Sequence, residues 1–286
     1  MDITKYRVNK KIELKAIPTR EDEHLERAEV EKKYMPANLD LMAELQDRLY
    51  ADGRHGLLIV FQAMDTAGKD GIIKHVMTSF NPQGVYVASF KVPSSTEACH
   101  DYLWRIHQHA PSRGSVTIFN RSHYEEVIVT QVHNLVEKQN VPDSMKTSAI
   151  WQERYAQIRN YEAYLTANGI NILKFFLHLS KEEQKKRLLA RIDKPSKNWK
   201  FSASDIKERT FWNEYQRVYE KAINETSTAD APWYIIPADK KWFARYLVSQ
   251  IVVEKLQEIN PQFPVLPEDE VKKLDLWKKE LLSEND

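Results

Sequence analysis

The stretch Leu57–Gly71, LLIVFQAMDTAGKDG, decides how the chain is read. Leu57–Phe61 is a continuous apolar run, without the alternation of a half-exposed strand, as expected of a strand buried on both faces of a parallel sheet. The run breaks into small residues, and Gly68-Lys69 stands just before a helical pattern. Strand, glycine turn, lysine and helix together form the layout of a phosphate-binding loop, where backbone N–H groups and a helix N-terminus hold anionic oxygens. Glycine is scarce, at seven in 286 residues, so Gly68 and Gly71 mark a place of close backbone approach. A plain strand-to-helix turn would also use Gly68; the flanking strand and helix favour the phosphate loop.

The loop departs from the usual G-x-x-x-x-G-K-[ST] pattern. It reads Ala63-Met64-Asp65-Thr66-Ala67-Gly68-Lys69-Asp70. Ala63 replaces the first glycine, and Asp70 replaces the hydroxyl residue that ordinarily holds Mg²⁺. Asp65 puts a carboxylate inside the loop, where it would repel phosphates unless a cation lay between, so Asp65 is a candidate Mg²⁺ ligand. The N–H groups of Ala67, Gly68, Asp70 and Gly71 are candidate phosphate donors, and Lys69 supplies a point charge.

Outward from the loop, strands alternate with helical patterns, which predicts an α/β fold with a five-stranded parallel sheet between two helical layers. The expected strands are 57–61, 85–90, 116–119, 170–179 and 233–236. The expected helices cover 39–50, 69–80, 95–109, a segment from about 124, 145–167, a helix after Ser180 with Glu183 completing a capping box, and 243–259. Residues 1–36 read as a surface extension within an N-terminal region 1–52. The catalytic domain is expected over 53–260, with a tail 261–286 that is either a docked helix or loose.

The end of the third strand, Asn120-Arg121-Ser122-His123-Tyr124-Glu125-Glu126, is a second candidate site, because ligands of open α/β sheets lie beyond the carboxyl ends of strands. Arg121 is either a phosphate clamp or one half of an i,i+4 pair with Glu125. Residues 181–200 hold eight basic residues against three acids, an excess of five positive charges. This is either a solvated helix face or a closing lid, expected over 181–209, that completes a charge clamp. Pro93 and Ser94, with Arg105, form a candidate edge for an acceptor nucleotide. The nearby histidines do not pair with Cys99 in a zinc pattern.

The formal net charge of +1 argues against a general nucleic-acid binder, and no apolar run reaches membrane-spanning length. One cysteine excludes an internal disulfide. The first residues lack a signal-peptide core, so a cytoplasmic protein is expected.

The segments QAMDTAGKDG, VPSSTEACHDYLWRIHQ, IFNRSHYEE, ILKFFLHLSKEEQ, KNWKFSASD and ETSTADAPWYIIPADKKWFAR, in this order over about residues 40–260, resemble the family-2 polyphosphate kinases. The resemblance implies a P-loop kinase-like fold and Mg²⁺-dependent transfer (Mn²⁺ being an alternative) of a phosphoryl group from inorganic polyphosphate to a nucleotide. It implies Asp65, Lys69 and Arg121 as the matching catalytic residues, with Asn120 and Glu125 at the third-strand edge. Asp65 and Glu125 would be the metal ligands. Arg187, Arg191, Lys197 and Lys200 fall in the lid, and with Lys74 would track the donor chain. The N-R-S-H-Y-E form is similar to the branch that accepts both nucleoside mono- and diphosphates, although that branch usually continues with Asp where this chain has Glu126. The alternatives are an enzyme acting mainly on diphosphates, an ATP-dependent nucleotide kinase, or a non-catalytic polyanion-binding module. Homodimers or homotetramers are implied, with the helix at 145–167 as a candidate interface.

Overall fold

The computed structural model describes residues 1–284. Its centre is a five-stranded sheet with all neighbours parallel, in the order β2-β3-β1-β4-β5. In chain order the main elements are α1 (Met35–Asp52), β1 (Gly56–Ala63), α2 (Lys69–Val76), β2 (Val85–Ser89), β3 (Val116–Asn120), α3 (Ile150–Ala167) and β4 (Ile170–His178). They continue with α4 (Lys181–Ile192), α5 (Ala203–Thr210), α6 (Trp212–Thr226), β5 (Trp233–Pro237), α7 (Lys241–Ile259) and α8 (Glu268–Ser283). No helix among the described residues is long and apolar enough to cross a membrane.

β1 occupies the middle of the sheet, and all eight of its residues are buried. Successive side chains serve opposite faces, as strand geometry requires. Leu57, Ile59 and Phe61 join one core cluster with α1, α2 and α7, whereas Leu58 and Val60 join a second with α3 and α6. Three layers result, as expected from the sequence. The register pairs Phe61 with Asn120 on one side and with Phe175 on the other. The loop after β1 and the turn after β3 therefore emerge side by side.

Three expected helices are broken. The one expected at 95–109 is two short turns, Ser95–Ala98 and Trp104–His107; Ser94 caps the first in a closed capping box with Glu97. The segment after β3 is a 3₁₀ turn, His123–Glu126, followed by a short helix, Val129–Val132. α3 begins at Ile150 rather than Met145, behind a 3₁₀ turn at Asp143–Met145. The capping box predicted at Ser180 is half formed. Ser180 Oγ accepts from the Glu183 N–H, but the Ser180 N–H donates to Asp239, and Glu183 pairs with Arg187 instead.

Residues 1–36 lie at the surface, most of them at least partly exposed, and are anchored to the body by a few apolar side chains. Ile3, Tyr6, Val8, Leu14 and Val30 are buried. Arg7 bridges to Tyr234 at the edge of β5, and the Val8 N–H donates to Trp233 O. This strap covers an edge strand that would otherwise offer unpaired backbone groups. It then crosses the end of β4, where His178 Nε2 lies 3.1 and 3.2 Å from the carbonyls of Leu14 and Ile17.

Candidate active site

The candidate site lies beyond the carboxyl ends of β1 and β3. α2 starts at Lys69 with Gly68 before it at φ +113°, and no side chain caps its first turn. The first N–H groups of a helix have no intrahelical partner, so this end is open to an anion. Gly68 is required by its backbone conformation. Gly71 is not forced in the same way: an added Cβ would meet Arg245 Nη2 at 3.6 Å, an ordinary contact. Thr66 is left-handed too, at φ +67°, with its hydroxyl oxygen buried and unpartnered.

Arg121 links the two halves of the site. It is left-handed (φ +66°) immediately after β3, a conformation that costs energy for a bulky residue, and its N–H donates to Phe61 O. Its guanidinium meets Asp65 Oδ1 at 3.3 Å and Glu125 Oε2 at 3.6 Å. The i,i+4 pair with Glu125 is therefore formed, and it lies at the edge of the loop after β1. Burial pushes the Glu125 carboxyl above the usual range, against the pull of Arg121 and Lys69. Burial, reinforced by the Arg121 charge, lowers Lys69, against the pull of Asp65, Glu125 and Asp70. Lys69 Nζ donates to Ala63 O at 3.0 Å.

Asp70, in the place of the usual hydroxyl residue, is held by Asn120 Nδ2 at 3.0 Å and lies 3.8 Å from Lys200 Nζ. The middle of the 181–210 segment thus reaches back to the loop. Lys74 and Lys197 are exposed. Arg191 is tied within the segment, to Asp205 and to the Lys200 carbonyl, each at 3.2 Å.

Two arginines expected to reach substrate, Arg187 in the lid and Arg105 at the acceptor edge, are engaged by the chain itself. Arg187 is buried, and its guanidinium donates to the carbonyls of Thr66, Ala67, Ala238 and Asp239 and to Glu183. It is a strut joining the loop to the end of β5, not a free cation. Arg105 is likewise buried, donating to Lys91 O at 2.9 Å and meeting Glu97 at 3.5 Å beneath the Pro93-Ser94 edge. Both Pro93 and Ser94 are exposed.

Sequence reasoning missed several supporting residues. Gln184 Nε2 donates to Asp65 O at 3.1 Å, and Arg209 donates to Gln184 Oε1 at 2.7 Å. Behind the β3 edge, Lys174 Nζ is fully buried and donates to Glu162 (2.6 Å), Thr226 O (2.8 Å) and Tyr124 Oη (3.0 Å). Arg154 donates to the carbonyl and carboxylate of Glu126. The lone lysine in the apolar run ILKFFL was the available signal, since a buried lysine needs a partner.

A divalent cation suits this donor set. Two carboxylates, Asp65 and Glu125, converge on Arg121 beside the open helix end. Among the described residues no group of three or more His, Cys, Asp or Glu side chains could hold a metal on its own. Mg²⁺ commonly takes one or two carboxylates, keeps several waters and completes its shell with substrate phosphates, so the pair fits.

Comparison with known proteins agrees with this geometry. The sequence profile of the family described as Polyphosphate kinase 2 (PPK2) matches residues 24–264. An ADP-polyphosphate phosphotransferase of Rhodopseudomonas palustris is 48% identical over 256 residues, 89% of each chain. An AMP/ADP-polyphosphate phosphotransferase of Meiothermus ruber is 51% identical over 223 residues, 78% of this chain and 80% of that one. The crystal structure of polyphosphate kinase 2 from Arthrobacter aurescens TC1 superposes with a TM-score of 0.89 at 38% identity, covering 96% of this chain and 95% of that one. A glycine-turned loop carrying its own carboxylate, an arginine bridging that loop to the β3 edge and a sheet of matching shape all lead to one assignment: the chain belongs to the polyphosphate kinase 2 family.

Proposed function

We propose that this chain transfers the terminal phosphoryl group of inorganic polyphosphate to AMP and to ADP, giving ADP and ATP. The observation that carries the reading is Arg121 between Asp65 and Glu125, beside Lys69 and the uncapped start of α2. ADP occurs in the printed names of both relatives, and AMP in that of the Meiothermus ruber protein. The Asn120–Glu125 edge, with amide first and acid last, supports the wider acceptance.

Asp65 and Glu125 are the residues that would hold Mg²⁺ or Mn²⁺. When bound, the cation neutralises and aligns donor and acceptor oxygens. The remaining work falls to the chain's own groups. A nucleotide phosphate has a second pKa near ~6 and is already largely anionic at neutral pH, so no strong general base is required. The task is to bring two polyanions together in line. Lys69, Arg121 and the N–H groups of residues 67–71 would stabilise charge on the transferred group. Lys74, Lys197 and Lys200 would draw the donor chain towards the loop.

The test is incubation with AMP, Mg²⁺ and long-chain polyphosphate, followed by nucleotide separation. ADP should accumulate first and ATP after it. Use of ADP but not AMP would narrow the enzyme to diphosphates. Phosphorylation that required ATP and ignored polyphosphate would overturn the reading.

A further inference from the structure

From Leu57 to Ala63 every residue of β1 is apolar except Gln62, and Gln62 is fully buried. A polar side chain in the dry middle of a sheet costs free energy unless its groups are bonded. Only half of this amide is bonded. Its Nε2 donates to Ser122 Oγ at 3.2 Å, while Oε1 is buried without a partner. Stability alone would favour an apolar residue of the same shape at this position.

The place of Gln62 in the sheet shows what the amide holds. β1 and β3 pair as far as Phe61 and Asn120. One residue further, β3 has left the sheet through the left-handed Arg121, whereas β1 continues against Phe176 of β4. Gln62 therefore lies where β3 turns away. Leu58 and Val60 serve the layer of α3 and α6, so by strand alternation Gln62 serves it too, and Tyr124 of the turn belongs to the same layer. Ser122 Oγ, fully buried, accepts from Gln62 and from the Tyr124 N–H, each at 3.2 Å, which uses both of its lone pairs. The Glu125 N–H in turn donates to Ser122 O at 3.1 Å. Gln62 is thus joined through one residue to the backbone that carries Glu125. Burial raises the Glu125 carboxyl, and Arg121, Lys69 and the Gln62 amide oppose that rise.

We propose that Gln62 is a positioning residue for phosphoryl transfer: by holding Ser122 and the turn after β3, it keeps the Glu125 carboxylate in place to receive the divalent cation. The proposal rests on the reading of Asp65 and Glu125 as the metal pair. The test is Mn²⁺ binding to the full chain, read from the EPR signal of the free ion, together with the Mg²⁺ dependence of transfer from polyphosphate to ADP. Gln62→Met keeps the length of the side chain and removes the amide. It should weaken Mn²⁺ binding and raise the half-saturating Mg²⁺ by about tenfold, the usual effect of freeing a metal ligand from the group that orients it. The thermal midpoint should be unchanged or higher, because an unpaired buried acceptor is gone. Ser122→Ala, nearly isosteric, cuts the same tie from the other end and should shift both metal readouts in the same direction. In a Glu125→Gln background, itself weaker in Mn²⁺ binding, Gln62→Met should add less than about twofold, because its effect passes through the Glu125 carboxylate. Wild-type metal dependence in Gln62→Met or in Ser122→Ala, or the full effect of Gln62→Met persisting in Glu125→Gln, would overturn the proposal and leave the metal pair standing. Undiminished Mn²⁺ affinity in Glu125→Gln would overturn the metal pair and the proposal with it.

Discussion

At the scale of single residues the proposed site divides into groups that would face substrate and groups that hold them. Asp65 and Lys69 are proposed for the first class. Asp65→Asn and Lys69→Met should each lower kcat/KM with polyphosphate by roughly 10²–10³, the usual cost of removing one preorganised electrostatic group. Steady-state kinetics checks this, and near-full activity in Asp65→Asn would remove that residue from the mechanism. Arg187 is in the second class, and sequence alone pointed to the first. Its neighbours Lys185, Lys186 and Arg191 suggest a cationic face. The carbonyls it binds lie some 50 and 120 residues away in the chain, at Ala238 and Thr66–Ala67. A side chain's charge is legible locally; which of two distant backbones will claim it is not. That Asp65, Lys69, Arg121 and Glu125 lie together was legible because each sits within a few residues of a strand end, where the strand itself fixes direction.

At the scale of elements, the 3₁₀ turn after β3 explains how one carboxylate turns towards Arg121 from a buried segment. Its consecutive residues point apart. Glu125 turns to Arg121, while Tyr124 enters the Lys174–Glu162 network and Glu126 is held by Arg154. A full α-helix there, as first expected, would not separate these neighbours in the same way. Breaking the buried pair should be costly: Lys174→Met should lose about 3–5 kcal/mol, since Glu162 is left without its cation. Lys174→Met combined with Glu162→Leu should recover much of it, and urea unfolding measures both. The strap across β4 predicts a pH effect. Burial holds His178 below its ordinary value of 6.5, although the carbonyls of Leu14 and Ile17 pull the other way. A histidine with a depressed folded pKa binds fewer protons folded than unfolded. Its contribution is therefore complete above about 6.5 and is lost as pH falls below it. The thermal midpoint should drop between pH 7.5 and 5.5. His178→Gln, which keeps an N–H donor but does not titrate, should flatten that slope; an equal slope in the variant would exclude His178 as its source.

At the scale of the whole molecule, the sheet was the legible part and the helical layers were less so. A strand buried on both faces announces itself as an apolar run, and β1, β3, β4 and β5 do. β2 is an edge strand in which only Ala88 is buried and Tyr86 and Val87 are exposed. The N-terminal strap was missed because Ile3, Tyr6, Val8 and Leu14 follow no helical period and form no regular strand. They fill gaps left by the ends of β4 and β5, and only the finished sheet shows those gaps.

The strut at Arg187 has a consequence for how the molecule opens. Through it, and through Gln184 on Asp65 and Asp239 on the Ser180 N–H, the first two turns of α4 are fastened to both the loop and the end of β5. Beyond Ile192 the fastening thins: Lys194 is extended before Pro195, most of the residues from there to Thr210 are exposed, and the ties back are Lys200 near Asp70 and Arg209 on Gln184 and the Lys181 carbonyl. A lid motion of this segment should therefore hinge at residues 193–194, not at the root of the helix. In amide hydrogen exchange the Gln184–Leu189 protons should survive until global unfolding, while those of residues 197–207 should exchange through local opening, orders of magnitude sooner. Comparable exchange along the whole 181–210 segment would move the hinge back to Ser180.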